Sequence, residues 1–123
     1  MFLVKTYLDK STIDGIGLFA LDDIKASTTI YKPSSGLDMV LSEDQFKKLL
    51  PLEQGQIMHY GYLSSVTGKW NLAFDDIRFC NHSKDPNIKL SYHDYVTTRD
   101  IQAGEEIVCD YSEFEKLRES VKE

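Results

Sequence analysis

Short runs of β-branched and aromatic residues, interrupted by glycine, proline, aspartate or asparagine, recur along most of the chain and constrain its fold more than any other feature. Runs bounded in this way are typical of short β-strands joined by tight turns. Strands are predicted at residues 2–8, 28–31, 58–66, 70–74, 88–92, 95–99 and 106–111. No alternation of strands with long helices is visible, which disfavours a doubly wound parallel fold. The sequence therefore predicts a mainly β domain with short helices.

Turn residues between these runs predict two hairpins. Residues 67–69 separate the third run from the fourth, and His93-Asp94 separates the fifth from the sixth. Glycine also marks a turn at 14–17 and another at 103–104, where a tight backbone conformation is easiest for a residue without a side chain. The strands are thus expected to form small antiparallel sheets.

Helical signals are few. Ser42 stands three residues before Gln45, the spacing of a capping box, and Phe46 and Leu49 then fall on one helical face. Pro51 stops this helix or starts another, which is predicted to run to Gln56. At the C-terminus, the three- and four-residue spacing of apolar residues predicts an amphipathic helix. Those residues are Phe114, Leu117 and Val121.

Length, charge and cysteine content narrow the class of protein. A chain of 123 residues suggests one domain, and a net charge of −6 disfavours direct nucleic-acid binding. The same charge attracts basic partners, although many proteins are acidic only for solubility. Residues 1–10 lack a secretory apolar region, no apolar run is long enough for a membrane span, and two cysteines suit a reducing compartment. An intracellular location, cytoplasmic or nuclear, is expected.

Three segments carry the motifs of the chain. The first is Gly15-Ile16-Gly17-Leu18-Phe19-Ala20, the second Arg78-Phe79-Cys80-Asn81-His82-Ser83 with Asp85-Pro86-Asn87, and the third Gly104-Glu105-Glu106-Ile107 with Asp110-Tyr111. A single Gly-x-Gly is weak evidence, but the order and spacing of all three are specific. Together they resemble the SET domain family over about residues 4–111.

This resemblance implies a β-clip fold with a C-terminal pseudoknot. In the pseudoknot, either the Asn-His-Ser segment or the last strand is threaded through a loop that the other forms. It implies one SET domain over residues 1–123, with a core at about 4–111 and a closing segment at 112–123. It also implies an enzyme that transfers a methyl group from S-adenosyl-L-methionine to a lysine side chain of a protein, histone tails included. The expected partner is a basic protein or peptide.

Tyr111 is the residue to which the resemblance assigns catalysis, because its hydroxyl would lie beside the transferred methyl group and the incoming nitrogen. A phenol with a pKa near 10 is a poor base at neutral pH, so whether it also takes the proton stays open. A tyrosine that ends a strand and merely packs its ring is the alternative.

The resemblance assigns cofactor binding to residues from all three segments and from the tail. Asn81 offers a donor and an acceptor to the amino-acid part of the cofactor, and His82 would meet the adenine. Arg78 either contacts the cofactor or pairs with a nearby aspartate. The complete predicted set is Gly15, Ile16, Gly17, Arg78, Asn81, His82, Tyr111 and Phe114. Asp14 stands where the family often has a basic residue, which weakens one expected contact.

A metal site is not predicted. His82 with Cys80 and Cys109 suggests zinc at first sight, but no Cys-x-x-Cys pair supports it. Nor does a cysteine-rich segment flank the motifs, so the resemblance is to a minimal domain without zinc modules. Such a domain would complete its lysine channel from its own tail, from the substrate, or from a second copy in a homodimer.

The lysine channel would need apolar walls. Tyr60 and Tyr62 are candidates, placed on one face of a predicted strand, with core packing as the alternative. Cys109 stands where relatives carry a larger aromatic residue, which predicts room for more than one methyl group. Two other interpretations stay open. The domain could bind a peptide without turnover, or it could be a structural protein without a cofactor.

Overall fold

The computed structural model describes residues 1–64 and 67–113, which fall into two compact units. The first contains Met1–Pro33 and Asp75–Tyr111. Of the described residues, the second contains Ser34–Phe74 together with Ser112 and Glu113. Strands dominate and the longest helix in this part of the chain has ten residues. None of the helices described there is long and apolar enough to cross a bilayer. The predicted mainly β fold with short helices is confirmed.

The first unit contains a four-stranded sheet in the order β1-β2-β10-β7. Its strands are β1 (Thr6–Lys10), β2 (Ile16–Ala20), β7 (Asn81–His82) and β10 (Glu106–Cys109), with a short 3-10 helix at Asp76–Phe79 before β7. β2 is antiparallel to β1 and to β10, whereas β7 runs parallel to β10. Parallel neighbours require a long crossover, and here the chain between β7 and β10 supplies it.

That crossover contributes to a second sheet, in the order β3-β9-β8. Its strands are β3 (Thr29–Tyr31), β8 (Ile88–Ser91) and β9 (Asp94–Thr97), all antiparallel. Aliphatic side chains from both sheets and their connections are almost completely buried and form the core of this unit. They are Leu18, Ile30, Ile88, Ile101 and Ile107.

The second unit combines a three-stranded antiparallel sheet with two helices. The elements are β4 (Met39–Leu41), α1 (Glu43–Lys47), α2 (Pro51–Tyr60), β5 (Tyr62–Leu63) and β6 (Trp70–Leu72), with strand order β4-β6-β5. Ile57, Leu63 and Trp70 form the buried cluster, and the Phe46 ring stacks on Trp70 at a centroid distance of 4.5 Å. Helix and sheet of this unit therefore share one apolar core.

Several predicted elements are confirmed. Ser42 caps α1, and both hydrogen bonds of the capping box with Gln45 are present. Pro51 begins α2, which confirms the prediction that it starts a second helix. β5 pairs with β6 and β8 with β9, so both hairpins form. The second is closed by Tyr92-His93 rather than His93-Asp94, since Ser91 pairs with Asp94 across the turn.

Other boundaries were wrong. The first strand covers residues 6–10 instead of 2–8, and β4 at residues 39–41 was not predicted. The run at 58–66 was predicted as a strand, but its first three residues continue α2, because burial of Ile57 fixes the helix against its sheet. Gly61 then ends α2, and its backbone N–H donates to the Ile57 carbonyl. The predicted C-terminal helix lies outside the described residues.

Two glycines of the second unit should respond oppositely to a methyl group. Gly55 lies within α2 with open space around the position of a Cβ atom, whereas a Cβ at Gly61 would lie 2.5 Å from the Asn71 carbonyl oxygen. We expect Gly55→Ala to raise the free energy of unfolding by about 0.5–1 kcal/mol through helix propensity. Gly61→Ala should lower it by about 1–3 kcal/mol through overpacking.

Urea unfolding of the two variants and the unchanged protein measures both effects. If both substitutions moved the urea midpoint in the same direction, this description of the end of α2 would be contradicted.

Candidate active site

Strand β10 brings the three motif segments of the sequence into one sheet. Its first half pairs with β2, which carries the Gly-Ile-Gly segment, and its second half pairs with β7, which carries Asn-His. The partners across these ladders are Glu106 with Phe19, Ile107 with Leu18, Val108 with Asn81, and Cys109 with His82. The threading predicted for a pseudoknot stays a prediction, but the parallel pairing places the second and third segments side by side.

Tyr111 is anchored to the second segment at two points. Its hydroxyl donates to the Cys80 carbonyl oxygen at 2.7 Å, and its backbone N–H donates to His82 Nδ1 at 3.0 Å. The His82 and Tyr111 rings lie 5.3 Å apart. The phenol predicted to be catalytic therefore lies beside Asn81 and His82, although the residues are about thirty positions apart in the chain.

The Tyr111 phenol is a stable hydrogen-bond donor. Burial raises the pKa of Tyr111 to about 12, and the nearby ionisable groups of Cys109, Cys80 and Asp14 add to that increase. The ordinary phenol pKa is near 10, so the change moves ionisation further from neutral pH. The hydroxyl accordingly keeps its proton, and the bond to the Cys80 carbonyl uses it.

Asn81 is buried and its amide orientation is fixed. Nδ2 donates to Glu106 Oε2 at 2.9 Å and to the carbonyl oxygens of Asp14 and Ile16 at 3.1 and 3.4 Å. A flipped amide would aim its oxygen at these three acceptors, so the orientation follows from the hydrogen bonds. Among residues 1–64 and 67–113, none donates to Asn81 Oδ1, and this acceptor is available to a ligand.

The two glycines of the first segment are needed for different reasons. Gly15 has a φ of +47°, which residues with a side chain rarely adopt. Gly17 has no such conformation, but a Cβ there would lie 2.5 Å from Glu106 Oε2. Between them Ile16 is exposed at the start of β2. The segment thus keeps an accessible backbone next to a carboxylate.

His82 follows the buried Asn81 in β7, and Arg78 precedes it in the 3-10 helix. His82 Nδ1 accepts the Tyr111 N–H and lies 3.7 Å from Asp110 Oδ1, so the ring connects β7 to the end of β10. Arg78 is exposed on the 3-10 helix, with its guanidinium carbon 5.4 Å from the centroid of the Phe79 ring. A role for Arg78 at the cofactor stays a prediction.

Cys80 and Cys109 are buried, and the Cys80 thiol donates to the Ile107 carbonyl oxygen at 3.3 Å. The neighbouring Cys109 side chain, together with burial, raises the pKa of the Cys80 thiol well above its usual range. Since metals and electrophiles react with the thiolate, a protonated buried thiol at Cys80 suits packing better than zinc binding. No group of three or more metal-ligating side chains occurs in the part of the chain that the structure describes.

Two of the predicted channel residues belong to the second unit. Tyr60 is the last residue of α2 and Tyr62 lies in β5, so the prediction that they share one face of a strand was wrong, because the helix extends to Tyr60. Burial, with a smaller effect of Asp38, raises the pKa of Tyr62 to about 12. Phe114 lies outside the described residues, and its contact with adenine stays a prediction.

Glu106 and Asn87 were not recognised as site residues in the sequence. Besides Asn81, the Glu106 carboxylate binds the Ser11 hydroxyl at 2.9 and 3.0 Å. Asn87 is completely buried, and its Oδ1 accepts the Val108 N–H while Nδ2 donates to the Glu106 carbonyl, both at 2.8 Å. Both belong to quoted motifs, but such contacts span distant segments and leave no local signal.

Comparison with known proteins agrees with this geometry. A family model described as "SET domain" matches residues 15–112. Histone-lysine N-methyltransferases described as H3 lysine-36 specific, from Debaryomyces hansenii and Aspergillus oryzae, are 31% and 32% identical over 120 aligned residues. Each alignment covers 84% of this chain but only 15% and 12% of the relative, so the chain spans a small part of their length.

A solved structure shows the same fold. The Polycomb Repressive Complex 2 of Chaetomium thermophilum superposes with a TM-score of 0.70 at 26% identity, covering 97% of this chain and 17% of that one. Fold and site thus define a β-rich domain in which an asparagine and a histidine of β7 lie beside an anchored tyrosine that follows β10. The chain belongs to the SET domain family.

Asn87→Ala should destabilise the first unit. The substitution leaves the buried N–H of Val108 and the Glu106 carbonyl without their partner, which costs about 2–3 kcal/mol of unfolding free energy. Asn71→Ala is the control, because among the described residues the Asn71 side chain donates only to the nearby Lys69 carbonyl, and its cost should be about 0.5 kcal/mol. Chemical denaturation compares the two, and a smaller cost at Asn87 than at Asn71 would contradict the assignment.

Proposed function

We propose that this chain is an S-adenosylmethionine-dependent protein-lysine N-methyltransferase. The observation that carries the proposal is the Tyr111 hydroxyl, held 2.7 Å from the Cys80 carbonyl beside Asn81 and His82. The names of the two fungal relatives support a lysine of a histone as the acceptor. Tyr111, Asn81 and His82 all belong to the first unit.

The residues around β7 fit the amino-acid part of the cofactor. Asn81 Oδ1 is an acceptor without a donor among the described residues, and an ammonium group is the donor that it matches. Gly15 and Ile16 are exposed residues, and the carbonyls of Asp14 and Ile16 accept the Asn81 amide. We assign cofactor binding to these residues, with His82, Gly17, Arg78 and Phe114 as the rest of the proposed site.

When bound, S-adenosylmethionine supplies a methyl group on a positively charged sulfur atom. The substrate lysine must be neutral to accept it, which costs about 4–5 kcal/mol at pH 7 for an unperturbed amine. Burial raises the pKa of Tyr111 to about 12 in the ligand-free protein, so the phenol carries its proton when the substrates bind. We assign the hydroxyl the role of orienting the reacting groups, and the lysine proton leaves to solvent.

The substrate is proposed to be a basic protein segment such as a histone tail. The net charge of −6 favours a cationic partner, and the chain offers no charge excess for nucleic acid. A histone substrate would be met in the nucleus, which is the location that we propose. The Polycomb complex is an assembly by name, so partner subunits are as consistent with the fold as the homodimer, which stays a prediction.

Incubation of the protein with labelled S-adenosylmethionine and histones, followed by mass spectrometry, tests the activity and identifies the modified lysine. Binding of the cofactor without transfer would favour the alternative, a peptide-binding module. Absence of cofactor binding in calorimetry would contradict both and leave a structural protein.

Tyr111→Phe removes the hydroxyl that anchors the ring to the Cys80 carbonyl. We expect the rate of methyl transfer to fall about a hundredfold, since small misplacements of reacting groups have effects of this size. The dissociation constant of the cofactor should change less than about threefold, or ~0.6 kcal/mol. Tyr92→Phe is the control, because Tyr92 is 89% exposed at a hairpin tip of the other sheet.

The rate of transfer is measured with labelled cofactor, and its dissociation constant by calorimetry. An unchanged rate in Tyr111→Phe would remove the phenol from the mechanism.

Cys109→Tyr tests the proposal that this buried position limits the number of methyl groups. Cys109 is 2% exposed in β10, two residues before Tyr111. A larger side chain should restrict an active enzyme from di- or trimethyl products to monomethyl-lysine, whereas Cys109→Ala keeps the broader pattern. Mass spectrometry of the products reads out the result, and an identical pattern in an active, folded Cys109→Tyr variant would contradict the role.

A further inference from the structure

We infer that Glu106 is a positioning residue for the cofactor: its carboxylate holds the Asn81 amide in the orientation that leaves Oδ1 available to the cofactor ammonium group. This inference rests on the proposed function, which places that group at Asn81. It adds a residue that makes no predicted contact with either substrate and acts through its neighbour.

The Glu106 carboxylate connects three segments of the first unit. Glu106 begins β10 and opposes Phe19 of β2. Its oxygens accept the Ser11 hydroxyl at 2.9 and 3.0 Å and the Asn81 amide at 2.9 Å. One side chain thereby joins the turn before β2, the strand β7 and its own strand β10.

The contact between Glu106 and Ser11 controls the turn before β2. Ser11 Oγ also accepts the backbone N–H of Ile13 at 2.9 Å and that of Asp14 at 3.4 Å. The Ser11 N–H closes the turn on the Gly15 carbonyl at 2.8 Å. The Ser11 hydroxyl has a single O–H, and the Glu106 carboxylate accepts it. The oxygen of Ser11 is therefore oriented so that its lone pairs accept the backbone N–H groups of the turn.

The Asn81 amide depends on the same carboxylate. Without the carboxylate, two backbone carbonyls at 3.1 and 3.4 Å are the remaining acceptors of Asn81 Nδ2, and both contacts are longer than the 2.9 Å bond to Glu106. A hydrogen bond to a charged group is also the stronger kind. Loss of the carboxylate therefore removes the shortest and strongest of the three contacts that oppose rotation of the amide, and a rotated amide presents a donor to an ammonium group.

A second observation supports the contact between Glu106 and Asn81. The carboxylate oxygen that binds Asn81 is the same atom that would lie 2.5 Å from a Cβ at position 17. The position of the Glu106 carboxylate therefore depends on the absence of a side chain at Gly17. The glycine makes room for the carboxylate, and the carboxylate orients the asparagine.

Glu106→Ala and Glu106→Gln test the inference through cofactor affinity. Calorimetry with S-adenosylmethionine and with S-adenosylhomocysteine, both of which carry the ammonium group, should show about a tenfold loss for alanine, the effect of one hydrogen bond to a charged group. Glutamine retains one acceptor of the same shape and should lose only about threefold. The neighbouring Glu105→Gln is the matched control, since Glu105 contacts Asn87 and Arg99 instead of Asn81.

A double-mutant cycle shows whether Glu106 acts through Asn81. If it does, Glu106→Ala should cost about tenfold in the native background and less than about twofold once Asn81 is alanine, because coupled residues are not additive. Equal losses of affinity in both backgrounds would overturn the inference in favour of general destabilisation. A loss confined to S-adenosylmethionine would overturn it in favour of a charge effect on the sulfonium.

A readout without ligand separates this inference from the proposed function. In the ligand-free protein, the Asn81 side-chain NH2 protons should be protected from exchange with water, and Glu106→Ala should remove that protection in nuclear magnetic resonance spectra of a sample shown to be folded. Glu106→Gln should retain most of it. Unprotected Asn81 protons in the native protein overturn the inference, whereas failure of the native protein to bind either ligand overturns the proposed function with its cofactor site.

Discussion

The division of β10 between two partners is the constraint on which the site depends. Antiparallel pairing with β2 fixes its first half, and parallel pairing with β7 fixes its second half. Because the register of a strand decides which face each side chain occupies, the two ladders together determine where Glu106 and Tyr111 lie. A slip of one residue in either ladder would separate the carboxylate from Asn81 and the phenol from Cys80.

The chemistry of the site follows from hydrogen bonds that this arrangement makes possible. Tyr111 is tied to β7 through its hydroxyl and through its backbone, so both ends of the residue are held. Asn81 is held through its amide nitrogen, which leaves its oxygen for a ligand. Groups fixed in advance need little reorganisation when substrates bind, which is how the proposed methyl transfer would gain rate from alignment.

Local signals in the sequence predicted what local forces decide. The capping box of Ser42 and Gln45 formed because its hydrogen bonds lie within one turn of helix. The end of α2 was placed wrongly, since residues 58–60 lack a strong local preference and the buried Ile57 decides their conformation. The candidate site was predicted by its motifs, but the contact of Glu106 with Asn81 crosses 25 positions and no periodicity encodes it. Tertiary pairing alone reveals it.

If the three motif segments form one cofactor site around β10, a ligand bound there must perturb all three. We would titrate S-adenosylhomocysteine into the isotope-labelled protein and follow the backbone amide resonances. We expect saturable shifts concentrated at residues 15–17, at Asn81 and His82, and at Tyr111. Shifts that fall elsewhere, or no binding at all, would show that the segments do not form one site.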